Sequence, residues 1–214
     1  MTRRLGGHRA LWGVLTVLGS GMAGPAPAAE PWQEALAPVC ARPAAADGKL
    51  CRAAGKAAPA ELEQVARRLE QQGRFADAVT VQSKVVALRQ AVPSAPAALV
   101  QSLGRQSLLL RRAGRYAEAG AAATAALAVA LPPGPASDQA RATALEADGM
   151  IARSLGNYAD AMAQLSAALA LRQKATPPDP MAEAELTEAL ADAVGNSGKL
   201  PDALALAQTA ADLA

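Results

Sequence analysis

The residues that could carry out catalysis in this 214-residue chain are few. Histidine is the side chain that most often acts as a general base and that activates serine or cysteine nucleophiles. The chain has one histidine, His8, within an N-terminal segment of arginine and apolar residues. Outside that segment the sequence therefore offers no Ser–His or Cys–His pair for covalent catalysis.

Acidic residues occur close together in several places, as at Glu183, Glu185 and Glu188. Residues two apart do not share a helix face, and the pair Glu185 and Glu188, three apart, is more typical of a solvated face than of an acid–base pair. No glycine-rich phosphate-binding loop is present. We therefore predict that the protein is not an enzyme and binds no cofactor or metal.

The two cysteines, Cys40 and Cys51, could form half of a metal site, a redox pair or a structural disulfide. A metal site would need further ligands, and a catalytic redox pair is usually spaced Cys-x-x-Cys. We favour a structural disulfide formed in an oxidising compartment. In the chain-entropy account, closing a loop of this size stabilises the folded state by about 3 kcal/mol.

The N-terminal segment has the parts of a secretory signal peptide. Arg3, Arg4 and Arg9 precede an apolar stretch at 10–23, and residues 26–28 (Ala-Pro-Ala) offer a small-x-small cleavage site. The apolar stretch is shorter than the roughly 20 residues of a membrane span. We expect cleavage after residue 28 and a periplasmic or secreted protein without a stable membrane span. An uncleaved anchor helix is the alternative, and export by the Sec route fits better than the twin-arginine route.

The basic character of the sequence belongs to this leader. The whole chain has 21 Lys and Arg against 19 Asp and Glu, and removal of residues 1–28 takes away three arginines and no acids. The remaining chain has 18 basic and 19 acidic residues, a net charge of −1. Because no net positive field or basic stripe with interleaved aromatics is left, we expect no nucleic-acid binding.

A six-residue phrase recurs four times in the rest of the chain. It begins with glycine, has a large apolar residue at its third position in every copy, an acidic residue at its fifth and alanine at its sixth. Self-similarity at one fixed period of about 42 residues is the signature of a solenoid built by stacking one supersecondary unit. The four copies are residues 73–78, 114–119, 156–161 and 198–203.

The order of residues within the phrase predicts a helical hairpin. Glycine can take the left-handed conformation that ends a first helix. The acidic residue then falls in the first turn of a second helix, where the helix dipole favours negative charge. We expect the alanine to allow close approach of the helices and the large residue to wedge between them. The wedge residues are Phe75, Tyr116, Tyr158 and Leu200.

Residues around the phrase recur as well. A small residue stands seven places before each glycine, at Ala66, Ser107, Gly149 and Ala191. Prolines cluster between the units, where they would break helices. Ser137 and Asp179 are the predicted N-caps of the third and fourth first helices.

These positions resemble the tetratricopeptide repeats, in the variety of about 42 residues found in kinesin light chains and many bacterial proteins. The resemblance implies an all-α, right-handed solenoid of four helix pairs over residues 59–214. Residues 29–58, with the proposed disulfide, would form a short stapled N-terminal cap after the signal peptide 1–28. The four pairs are expected at about 59–92, 97–131, 137–174 and 180–214.

The resemblance also implies that the first helices line a concave ligand groove. Arginines stand in the first three units and acids in the last, and Arg89 is expected on the opposite, convex face. The expected partner contacts are Arg67, Gln101, Leu108, Arg111, Glu146, Met150, Arg153, Glu188 and Asp192. Further inward positions are Glu63, Glu70, Glu185 and Asn196.

The resemblance favours a non-enzymatic scaffold or assembly module that binds a protein or peptide in this groove. The alternative is a structural oligomerisation element. Leu204, Leu206 and Leu213 lie on the last predicted helix, which has no following repeat in the sequence. Terminal repeats normally need a polar outer face, so we expect weak homodimerisation through this helix.

Overall fold

The computed structural model describes residues 58–214, and this part of the chain is all-helical, without strands. Residues 1–57, which include the predicted signal peptide, the cap and both Cys40 and Cys51, lie outside the described residues. The helices are α1 (Pro59–Gln71), α2 (Phe75–Gln90), α3 (Pro96–Arg112), α4 (Tyr116–Ala128), α5 (Pro135–Ser154), α6 (Tyr158–Arg172), α7 (Pro180–Asn196) and α8 (Leu200–Leu213).

Consecutive helices pack as four hairpins, here called repeats 1 to 4 (α1–α2, α3–α4, α5–α6 and α7–α8). The phrase glycines end the first helices with φ values of 72°, 75°, 80° and 92°. After α1, the Arg74 amide donates to the Leu69 carbonyl at 2.9 Å, and equivalent bonds follow the other three first helices. These bonds satisfy carbonyls that the helix end would leave unpaired. The left-handed glycine and the acidic first turn are both confirmed.

Within the hairpins, small residues bring the helices together as predicted. A Cβ added at Gly149 would lie 2.8 Å from Leu165 Cγ, so no larger residue fits without movement. In repeat 2 the Ser107 hydroxyl donates to the Ala119 carbonyl of the facing helix at 2.8 Å. The phrase alanines of the first three repeats are fully buried. The helix backbones therefore approach closely at these positions, beside the buried leucines and valines of the core.

Two sequence-based expectations about single positions are wrong. In repeats 2 and 4 the large phrase residue does not wedge between the helices: Tyr116 is 43% and Leu200 69% exposed, because the helices meet through the phrase alanine instead. Phe75 and Tyr158 are half-buried. Ser137 is not an N-cap, since α5 begins at Pro135 with Gly134 as its cap. The Asp179 cap is confirmed, with its Oδ1 accepting from the Ala182 amide at 3.1 Å.

The repeats stack in two different ways. Between repeats 2 and 3 the first helices α3 and α5 pack directly on each other. A Cβ added at Gly104 would lie 3.0 Å from Thr143 Cγ2 and 3.1 Å from its carbonyl oxygen. Between repeats 1 and 2, and between repeats 3 and 4, the first helices hardly touch, and the second helix of one repeat packs on the first helix of the next.

Candidate functional site

The first helices line a groove with a cavity of about 500 Å³ that extends from repeat 1 to repeat 4. Several residues expected in the groove line it: Glu63, Arg67, Glu70, Gln101, Leu108, Glu146 and Glu185. Six more were not expected: Arg105, Gln139, Thr143, Arg172, Asp179 and Ala182. The cavity is rich in charged side chains. What the groove can bind therefore depends on whether each charge already has a partner within the protein.

Two ion pairs at equivalent positions cross from the first to the second helix of repeats 1 and 3. Glu63 Oε1 accepts from Arg89 Nη2 at 2.9 Å and from the Ser102 hydroxyl at 3.0 Å. Glu146 Oε2 accepts from Arg172 Nη2 at 3.3 Å. The two glutamates are 83 residues apart, and so are the two arginines. Arg89 was expected on the convex face, but its guanidinium group holds a carboxylate that lines the groove.

Burial raises the pKa of the Glu146 carboxyl group. The withdrawal of this carboxyl from water raises its pKa above the usual value, and the nearby Glu185 acts in the same direction. Arg172 and Arg105 oppose the rise without reversing it. The side chains of both members of the ion pair are less than one-fifth exposed, so their mutual contact is poorly screened by solvent.

Other charges in the groove have no partner in the described part of the chain. Arg67 is exposed and makes no ion pair within residues 58–214. Arg105 is half-buried, and its Nε is buried without a hydrogen-bond acceptor. At the other end, Glu185 is exposed and equally unpaired among the described residues. The groove is therefore positive at repeats 1 and 2 and negative at repeat 4.

The remaining predicted contact residues lie outside this cavity. Arg153 forms an ion pair with Asp192 across the junction of repeats 3 and 4. Arg111 is partly buried, and this burial, with the positive charge of Arg153, lowers its pKa. Met150 packs against the apolar cluster of α6 and α7, and Glu188 is exposed on α7. The predicted line of equivalent arginines is thus split, because Arg153 has an acidic partner and Arg111 has none within residues 58–214.

The sequence held a signal for some of the residues that were not expected. Arg172 stands 16 places after its phrase glycine, as Arg89 does, and each faces a glutamate ten places before that glycine. This shared spacing could have identified both ion pairs. Arg105 has no charged counterpart in the other repeats, so only the fold could place it in the groove.

No group of three or more His, Cys, Asp or Glu side chains within residues 58–214 could hold a metal ion. None of the helices in that region is both long and apolar enough to cross a bilayer.

The chain is similar in fold to solved kinesin-light-chain-like proteins, although no protein-family model and no curated protein matches its sequence. A kinesin light chain of Podosopora anserina with nearly identical TPR-like repeats matches with a TM-score of 0.55 and 18% identity, over 70% of this chain and 71% of that chain. BtubC (BKLC) from P. vanneervenii matches with a TM-score of 0.55 and 15% identity, over 72% of this chain and 62% of that chain. The tetratricopeptide-like solenoid is thereby confirmed.

Proposed function

We propose that this protein is an exported, non-enzymatic scaffold whose groove binds a segment of a protein partner. The observation that carries the proposal is the unequal pairing of groove charges. Glu63, Glu70 and Glu146 are already held by arginines of the protein itself. Arg67 and Arg105 are not, so they remain available to a ligand.

The free groove charges define the ligand. A guanidinium group binds a carboxylate through two parallel hydrogen bonds, and such charge-assisted bonds are roughly twice as strong as neutral ones. A segment that places acidic residues at repeats 1 and 2 and a basic residue near Glu185 complements the groove in both charge and direction.

The location proposed for this scaffold is the periplasm or the extracellular space. It rests on the signal-peptide features of residues 1–28 and on the pair Cys40 and Cys51. The exported protein should begin at Ala29 and contain a disulfide. Intact-mass measurement with and without reductant and alkylating agent tests both points. A retained leader, or two cysteines that are alkylated without reduction, would contradict this location.

The groove is tested by charge reversal. Arg67→Glu with Arg105→Glu should weaken capture of crosslinked partners from periplasmic extract at least about tenfold, or ~1.4 kcal/mol. Helicity and melting temperature should stay near those of the unmodified protein, because half-exposed groove charges without partners contribute little to folding.

The matched control is Arg141→Glu, which reverses an exposed arginine of α5 that does not line the groove. This variant should capture partners as the unmodified protein does. If the groove variant and the control capture equally well, the groove is not the binding surface.

A second function is favoured by a separate observation, the exposure of Leu204 on α8 to 73%. This exposure fits a structural oligomerisation element that self-associates through its last helix. Such a role involves a different surface from the groove, and the two functions can be tested separately.

A further inference from the structure

One face of α8 is apolar and uncovered. Leu200 and Leu204 are 69% and 73% exposed, the highest values among the large apolar residues described. Ala207 and Ala211 are also exposed. The four residues are spaced by four, three and four positions, which places them on one face of a helix. An apolar stripe of this kind is normally buried against another element.

The centre of this face is buried in the earlier repeats. Leu204 corresponds to Val79 of α2, which is 4% exposed, and Ala207 corresponds to Gln82 of α2 and Leu165 of α6, which are fully buried. Gln82 Nε2 donates to the Ser102 carbonyl of the following repeat at 3.0 Å, so these positions form the stacking surface of a second helix. On α8 the stacking surface is present and nothing in the described chain covers it.

The order of large and small residues on this face makes it complementary to itself. Leu200 and Ala211 are placed symmetrically about the point between residues 205 and 206, and so are Leu204 and Ala207. A single two-fold axis through that point would bring each leucine of one helix against an alanine of an antiparallel copy. Large residues set against small ones let two helices approach and interdigitate.

We propose that the occupant of this face is the α8 helix of a second copy of the chain, packed antiparallel about that two-fold axis. The interface is isologous, so every contact occurs twice. It is centred on Leu204 and Ala207 rather than on Leu206, which is half-buried against the apolar cluster of its own protomer. The groove lies on the first helices, which leaves both grooves of the dimer open to partners.

The proposal is tested by complementary charges on the full exported chain. Leu204→Glu alone and Ala207→Lys alone should each raise the dimer dissociation constant at least about tenfold, because each defect occurs twice in a symmetric dimer. In an equimolar mixture of the two variants, one interface contact becomes a Glu–Lys pair and the symmetric contact keeps the original Leu and Ala. The mixture should therefore dimerise within about threefold of the unmodified protein.

The control mixture combines Leu204→Glu with Leu200→Lys. The two-fold axis separates these positions by seven residues along the interface, or roughly 10 Å, which is too far for a direct pair. This mixture should stay monomeric in sedimentation experiments that detect a dimer of the unmodified protein. All substituted positions are exposed, so helicity should not change.

Three outcomes would overturn the inference. The unmodified protein could stay monomeric up to roughly millimolar concentration, a range in which even a weak dimer is populated. Both single variants could dimerise like the unmodified protein. Finally, the mixture of Leu204→Glu and Ala207→Lys could dimerise no more strongly than either variant alone. The inference rests on the oligomerisation function proposed above: the first two results remove that function as well, whereas the third removes only the antiparallel arrangement. The groove proposal stands in every case, because the groove test does not depend on α8.

Discussion

The junction between repeats 2 and 3 differs from the junctions on either side of it. There the first helices α3 and α5 are in direct contact, with Gly104 set against the backbone of Thr143. The helix faces that meet are lined by Ala140 and Ala144, both fully buried. We call this the closed junction.

At the other two junctions, which we call open, polar side chains bridge the first helices. The Ser102 hydroxyl donates to Glu63, and Arg112 pairs with Glu70 at 3.0 Å, across the junction of repeats 1 and 2. Arg153 pairs with Asp192 across the junction of repeats 3 and 4. These side chains reach across where the backbones stay apart. Ser102 is buried, but Arg112 and Asp192 are 50% and 57% exposed, so solvent remains close to the two ion pairs.

The difference shows that one repeat phrase permits two kinds of stacking. At the closed junction the contact shifts from the second helix to the first, and the short α4 buries only alanines. On the other side of this junction a cavity of about 260 Å³ separates the end of α4 from α5, with Val100, Leu127 and Leu145 in its lining. The small residue at position 104 permits the first helices to meet at this junction, and their approach shapes the groove there.

The largest effect is expected from Gly104→Ala at the closed junction. Its Cβ would meet the Thr143 carbonyl oxygen at 3.1 Å, and overpacking of this kind should place its unfolding free energy about 1–3 kcal/mol below that of a helix-interior Gly→Ala change made in open space. Gly120→Ala in α4 is the matched control, since a Cβ there meets nothing within 4 Å. It should stabilise by about 0.5–1 kcal/mol, because alanine favours a helix interior. Urea unfolding of both variants measures these changes in unfolding free energy. Equal changes in the two variants would mean that the junction is not closed.

A smaller loss is expected from Arg172→Met, which keeps the aliphatic stem and removes the charge that holds Glu146. A mostly buried carboxylate without its partner should lower the unfolding free energy by about 1–2 kcal/mol. Adding Glu146→Gln should recover part of this loss, since the stranded charge disappears. The exposed pair Arg115 and Glu118 gives the control, and Arg115→Met should leave stability nearly unchanged because solvent screens that pair. Equal losses at the two sites would contradict the difference in burial.

The pH dependence of Glu146 offers a finer measure of burial in the groove. Because burial raises its pKa in the folded protein, the folded state takes up this proton at a higher pH than the unfolded state. The contribution of Glu146 to stability therefore improves as pH falls from the raised pKa towards the ordinary glutamate value. Glu146→Gln lacks that dependence. The unfolding free energy of the unmodified protein should therefore rise relative to that of the variant as the pH falls through this interval.

Unfolding experiments on both proteins across the acidic range measure this gain. A difference that is constant with pH, or that moves in favour of the variant on acidification, would contradict the raised pKa. Carboxyl NMR of Glu146 reports the same shift directly.

The smallest effect is expected at an open junction, from Arg153→Gln. Asp192 is 57% exposed, and exposed ion pairs contribute only about 0.2–1 kcal/mol. Because such pairs are screened, the loss should shrink at high salt. A loss that salt does not alter would mean that the junction of repeats 3 and 4 excludes water as the closed junction does.

Much of the fold followed from local features of the sequence. The positive φ of Gly73 and its counterparts, the acidic first turns and the cap at Asp179 depend on residues a few positions apart, so the sequence predicts them. The exposure of Tyr116 and the start of α5 before Ser137 were mispredicted. They depend on how closely two helices approach and on how Gly134 and Pro135 share the helix start.

The groove was predicted only in part. Its position on the first helices was implied by the resemblance to tetratricopeptide repeats, and seven expected residues line it. The pairing of its charges did not follow, because Arg89 and Arg172 reach the groove from second helices and Arg105 has no repeated counterpart. An ion pair joins atoms far apart in the chain, and a count of spacings cannot supply their distance.

The amino-acid sequence by itself determined the number of repeats, the turn within each hairpin and the small residues that let its helices meet, since all of these are local or periodic properties. The tertiary structure alone decided which junction closes on Gly104, which groove arginines stay free and which face of α8 is left uncovered. These properties depend on distances between repeats, and such distances are set by the packing of whole helices rather than by any one residue.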